Sequence, residues 1–203
     1  MPLIRSTPSN TPPIEEPTEV NLRSSFADSR WAAARAAEHN PDSVAALAEA
    51  LGCETDMRVR EAIFTALARI RTPECVDAVL PYLRSDDASL RTAAIDVLRV
   101  VPKSTGARLV ELFADPDSDV RLLSCELARS VDGTEAQRLL ISLIETDKEP
   151  NVCAAAIEVL SEIGDAAALP PLARCQARFP DDPFIAFAVR AASDRLDTPG
   201  DRD

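Results

Sequence analysis

Apolar and polar positions fall into one pattern that returns about every 30 residues along most of the chain. With Arg30, Arg60, Arg91, Arg121, Cys153 and Ile185 taken as register points, the spacings are 30, 31, 30, 32 and 32. From the second unit on, the residue before each point is apolar (Val59, Leu90, Val120, Val152, Phe184) and so is the fourth after it (Phe64, Ile95, Cys125, Ile157, Val189). The fifth after it is polar (Thr65, Asp96, Glu126, Glu158, Arg190). Apolar and polar positions at that spacing mark one face of a helix repeated in register. A period-two pattern of any length is missing, so strands are not expected. A fixed period of this size predicts a stacked repeat array, because each unit can bury its apolar face only against its neighbours.

Each unit opens on a polar turn: Asp28-Ser-Arg30, Asp56-Met-Arg-Val-Arg60, Asp87-Ala-Ser-Leu-Arg91, Asp117-Ser-Asp-Val-Arg121, then Glu149-Pro-Asn-Val-Cys153 and Asp182-Pro-Phe-Ile185. Asp56, Asp87 and Asp117 stand just ahead of their helices, where a carboxylate accepts from free N–H groups and meets the positive end of the helix dipole. Second, shorter helices are expected near 41–52, 73–84, 104–114, 133–146 and 165–178, with one unpaired helix over 181–196 closing the array. The fold expected is all-α: a right-handed solenoid of about five helical hairpins plus a C-terminal capping helix. Residues 1–20 hold five prolines among Ser, Thr and Glu and read as a disordered leader. The repeat domain spans 21–196 and a polar tail 197–203.

The pattern Asp-x-x-Val-Arg-x-x-Ala, followed by Leu, a turn and a Leu-rich second helix, resembles the short HEAT repeat of phycobilin lyase-like proteins, best over 56–131. The resemblance implies a ladder formed by Asp56, Arg60, Asp87, Arg91, Asp117 and Arg121 across successive repeats, and a concave, partner-binding face lined by the second helices. On this basis Arg91, in mid-array, should matter more to the stack than Arg30 at its edge. Cys153 and Ile185 depart from the ladder.

Charge narrows the partners. The formal net charge is −12, with −4 in residues 1–100 and −8 in 101–203, and only two residues are lysine. Such a balance argues against a phosphate backbone or an anionic membrane as partner. The five cysteines form an odd set without a C-x-x-C and read as small apolar side chains in a reducing, cytoplasmic, bacterial-type compartment. No apolar run reaches the roughly 18 residues of a spanning helix.

Candidate chemistry is sparse. His39 is the lone histidine and sits where a helix ends, and no metal motif can be assembled around it. The His-Glu motifs of HEAT-like deoxyhypusine hydroxylases are absent, and HEAT-like alkylpurine DNA glycosylases fit poorly with an acidic chain poor in stacking side chains. Neither a catalytic residue, a metal site nor a cofactor is assigned. The candidates for partner contact are Asp77, Tyr82, Arg108, Glu111, Arg138 and Arg174 on the second helices, and Trp31, which either packs beneath Val20, Leu22 and Phe26 or meets a partner. The function expected is a non-enzymatic scaffold or adaptor that takes another protein's helix or peptide on the concave face. The alternative is a phycobilin lyase-like chromophore-binding protein, set second because aromatics are 4% of the chain.

Overall fold

The computed structural model describes residues 21–197, so the expected leader and nearly all of the polar tail lie outside the described residues. Eleven α-helices follow one another: α1 Ala27–Ala36, α2 Val44–Cys53, α3 Met57–Ile70, α4 Pro73–Val79, α5 Ala88–Arg99, α6 Pro102–Phe113, α7 Ser118–Ala128, α8 Gly133–Thr146, α9 Pro150–Ile163, α10 Leu169–Arg178 and α11 Pro183–Asp197. Among the described residues there is no strand. Odd-numbered helices pack on one another in order, and even-numbered helices do the same beside them, so five hairpins stack in two layers and α11 closes the array.

The first helices α3, α5 and α7 start where their aspartate caps say they should. The Asp56 carboxylate accepts from the N–H groups of Arg58 and Val59, Asp87 from Ser89, and Asp117 from Asp119. Caps of this kind stabilise a helix by about 1 kcal/mol each. The apolar stripe that follows is buried: Val59, Ile63 and Leu67 on α3, Ala94 and Leu98 on α5, Val120 and Leu127 on α7, Ile157 and Leu160 on α9. Each large aliphatic side chain contributes about 1.5–3 kcal/mol on leaving water. α9 ends at Gly164, where a Cβ would lie 2.5 Å from the Leu160 carbonyl oxygen, so only glycine fits that close approach.

The last register point is displaced by one. Asp182 accepts from Phe184 and Ile185, and the Ala186 N–H donates to the Asp182 carbonyl, as Arg60 does to Asp56. Ala186, not Ile185, therefore occupies the arginine position, and the buried Ile185 matches Val59. The position matching Phe64 then carries Arg190, exposed at the end of the array. Two second helices also differ from the expectation. α4 stops at Val79 and continues as a 3₁₀ segment over Leu80–Arg84, because Pro81 has no N–H for the Asp77 carbonyl. The helix expected from 104 begins at Pro102, whose fixed φ suits a first turn.

Candidate functional site

The arginine ladder exists with different acids. Each register arginine turns its guanidinium back onto the turn it came from: Arg30 donates to the Ser24 and Ser25 carbonyls, Arg60 to Glu54, Arg91 to Ser85 and Asp86, and Arg121 to Asp115 and Pro116. The carboxylates that close rungs lie two residues before the caps. Glu54 pairs with Arg30 at 2.7 and 2.9 Å, and Asp147 with Arg121 at 2.7 and 3.1 Å. Both acids are buried, and both also accept from backbone N–H groups of their own turns. Asp56, Asp87 and Asp117 are caps instead. Their oxygens are committed to N–H groups at the helix start, which is why they do not form the expected pairs with Arg60, Arg91 and Arg121. The following unit has Ser85 at the acid position, leaving Arg60 without a rung carboxylate, and Asp115 is taken by Arg84.

These environments shift the acids. The Arg30 guanidinium hydrogen-bonded to Glu54 holds its carboxyl down at about 2, with help from the Asp56 and Thr55 N–H groups and against the cost of burial. Burial pushes Asp147 upward, but the Arg121 hydrogen bond and the Glu149 N–H outweigh it, so its pKa too is lowered.

At the fifth unit the chain solves the same problem from the other layer. Cys153 stands in the arginine position, and the turn carbonyl that an arginine there would reach is Asp147. Arg178, from α10, donates to the Asp147 and Ile144 carbonyls in its place. The Cys153 thiol touches the same carbonyl at 3.7 Å. A small side chain at 153 leaves room for the guanidinium that enters from the second helix. The Cys175 thiol and burial together raise the Cys153 thiol's pKa. Cys125, buried on α7, is pushed up to about 12 by desolvation.

The residues expected to bind a partner are brought together only in part. Arg108 reaches Asp77 on the neighbouring helix at 2.6 Å and Glu111 on its own at 3.4 Å. Arg138 is held by Glu135 at 2.6 Å, and Arg174 pairs with Glu145. These arginines already have carboxylate partners. Tyr82 lies half-buried, edge-on to Phe64 with ring centroids 5.6 Å apart, so it packs inward and does not stand out as an anchor. Trp31 is 42% exposed with the Arg35 guanidinium 5.6 Å from its ring centre, and Phe26 is exposed beside the same helix start. Burial beneath Phe26 is therefore not observed, and Val20 lies outside the described residues. His39 is exposed, with Nε2 3.5 Å from Glu38.

A recess of about 720 Å³ opens at the N-terminal end of the described array between α1 and α2. Ala33, Ala36, Ala37, Ala46 and Ala50 form its walls, the segment from Asn21 to Ser24 crosses it, and Cys53, the one exposed cysteine, lies in its lining. A second recess of about 520 Å³ runs between α3 and α5, lined by Met57, Phe64 and Leu90 among others. Among the described residues no group of three or more His, Cys, Asp or Glu side chains could hold a metal ion, and no helix is long and apolar enough to cross a membrane.

A two-layer stack of helical hairpins with a ladder of half-buried arginines closed onto turn carbonyls and buried carboxylates defines the architecture of a HEAT-repeat protein. The HEAT-repeat family profile matches residues 16–99 and 106–193, and the chain belongs to that family. A sequence relative is the bilin biosynthesis protein PecE of Nostoc sp. (strain PCC 7120 / SAG 25.82 / UTEX 2576), 34% identical over 90 residues, which are 44% of this chain and 35% of the relative. The match spans about a third of that relative's length. Among solved structures, an engineered protein aligns with a TM-score of 0.46 at 19% identity, over 87% of this chain and 95% of its own. The complex of CpcE and CpcF of phycocyanin lyase from Nostoc sp. PCC7120 aligns with a TM-score of 0.40 at 17% identity, over 96% of this chain and all of the matched one.

The PecE match overturns two expectations, that the chain is a non-enzymatic scaffold and that it is not an enzyme, and it backs the alternative. The demotion of that alternative rested on a low count of aromatic residues. Overall composition was the wrong measure, since a recess built from alanines presents apolar surface without any aromatic side chain.

Proposed function

We propose that the chain is a bilin-handling protein of the phycobilin lyase type, acting on an open-chain tetrapyrrole and on the protein that carries it. The single observation behind this reading is the sequence relationship to a bilin biosynthesis protein. A largely rigid alpha-helical array suits such work. It holds a flexible, elongated pigment in one conformation, and the ordering that this imposes lowers the entropic part of a later bond-forming or bond-breaking step. On this reading the protein's share is binding and orientation. The carrier protein is the partner, and a reducing cytoplasm fits four buried cysteines and one exposed thiol without disulfides.

The test is production of the full chain in cells that make a bilin, with and without an apo-phycobiliprotein. The purified chain should carry bilin absorbance, and its presence should increase the covalently attached chromophore on the carrier, read by zinc-enhanced fluorescence in denaturing gels. A colourless chain together with unchanged attachment would sink the proposal.

A further inference from the structure

We infer that the N-terminal recess between α1 and α2 is the seat for the tetrapyrrole, an inference that rests on the bilin reading above and goes on to place it. At about 720 Å³ the recess falls within the roughly 300–1,000 Å³ of small-molecule pockets. Facing positions on its two helices are alanines, of which Ala36 and Ala46 are exposed, so they form an apolar concavity.

The polar groups at the recess match the two kinds of polar group on a bilin. Arg23 and Glu49 face each other across it with Nη2 2.8 Å from Oε1, and both are largely exposed. A solvated pair of this kind contributes little to stability and exchanges partners readily. A bilin offers propionate carboxylates for Arg23 and pyrrole N–H groups for Glu49, while its apolar rings lie over Ala36, Ala46 and Ala50. The second charged pair in the lining behaves differently. Glu54 is buried, Arg30 is half-buried, and both are bound to the turns around them, so they hold the wall in place and stay paired.

Biliverdin titrated into the purified full chain is the probe, followed by its visible absorption and by quenching of Trp31, the single tryptophan, which stands on α1 next to the lining residue Arg30. Wild type should bind saturably. Ala46→Phe, whose new ring fills the recess from an exposed position, should weaken binding at least tenfold with an unchanged melting curve. Arg23→Glu should weaken it several-fold, and because residue 23 is exposed this variant carries the test if Ala46→Phe does not fold. Phe187→Ser, at the far end, should bind as wild type does. Wild-type binding that both recess variants leave intact would overturn this location while the bilin reading stood. A wild-type chain that binds biliverdin no better than an unrelated protein would remove both.

Discussion

The two ends of the array satisfy the same demands by opposite means. At the N-terminal end the turn between hairpins is held by a first-helix arginine, Arg30, closed onto the buried Glu54, and the open face beyond it is an alanine-lined hollow. At the C-terminal end the arginine positions carry Cys153 and Ala186, and the guanidinium that satisfies the Asp147 carbonyl arrives from the second layer as Arg178. Arg190 replaces the apolar residue that would meet a following unit. What recurs is a requirement, that a buried turn carbonyl find a donor, and the residue that meets it is free to move between helices. The ends therefore differ in surface as well: an exposed arginine stands on the last described helix, and an alanine-lined recess opens beside the first.

The sharpest way to break this contrast is Glu54→Ala. That change removes a side chain that is 4% exposed and leaves the Arg30 guanidinium and the Thr55 and Asp56 N–H groups without their acceptor. Losing one partner of a buried pair is strongly destabilising, and urea melts should show a loss of about 3 kcal/mol. The pH dependence carries its own sign. Glu54 is held at about 2 against an ordinary 4.5, so the unfolded chain binds the proton first. The stabilisation is fully present above pH 4.5 and lost as pH falls toward 2. The gap between wild type and Glu54→Gln should stay constant from pH 8 to 5 and narrow below 4.5; a gap independent of pH would mean that the pair is not what holds this end.

Next in size is a comparison that inverts the sequence-based ranking. Arg91 contacts only backbone carbonyls, whereas Arg30 contacts carbonyls and a buried carboxylate. Arg30→Ala should cost roughly 2 kcal/mol and Arg91→Ala about 1 kcal/mol, since hydrogen bonds to charged groups are worth about twice neutral ones. Thermal melts in which Arg91→Ala proves the worse variant would return the ladder to mid-array.

At the other end, Cys153→Arg restores the repeat's own arginine and should nevertheless destabilise by about 1–2 kcal/mol, because Cys153 is fully buried and the carbonyl is already taken. In the background of Arg178→Ala the same substitution should recover stability. A double variant no better than the sum of the two single changes would show that Arg178 is not a substitute for the missing rung.

How much of this was legible follows from what each signal measures. The period, the caps and the apolar stripe are local, and so the hairpins, the closing helix and the N-terminal Asp56, Asp87 and Asp117 could be read directly. The true rung acids Glu54 and Asp147 left a weaker trace: an acid two residues before a cap, visible also at Asp115 and broken at Ser85. Arg178 left none, since its role depends on a contact between layers 31 residues apart in sequence. The register slip at Ala186 arose from trusting an apolar residue, Phe184, at a place where the cap hydrogen bonds put it on the exposed face. The recess depends on how α1, α2 and the segment from Asn21 to Ser24 come together, and no single residue spells it.

The smallest effect expected belongs to the two phenylalanines of α11. With the register set by Ala186, Phe184 occupies the place held by Asp28, Arg58, Ser89, Asp119 and Asn151 in the other units, and Phe187 the place of Trp31, Glu61, Thr92, Leu122 and Ala154. Both are about 60% exposed, Phe184 at 60% and Phe187 at 61%. Exposed apolar side chains contribute little to folding, so Phe184→Ser with Phe187→Ser should change stability by less than about 0.5 kcal/mol. The same pair of changes made at Ile185 and Val189, which are buried on the opposite side of that helix, should cost several kcal/mol. Equal losses from the two pairs would mean that α11 is rotated from the position described, and with it the register that makes Ala186 the last rung.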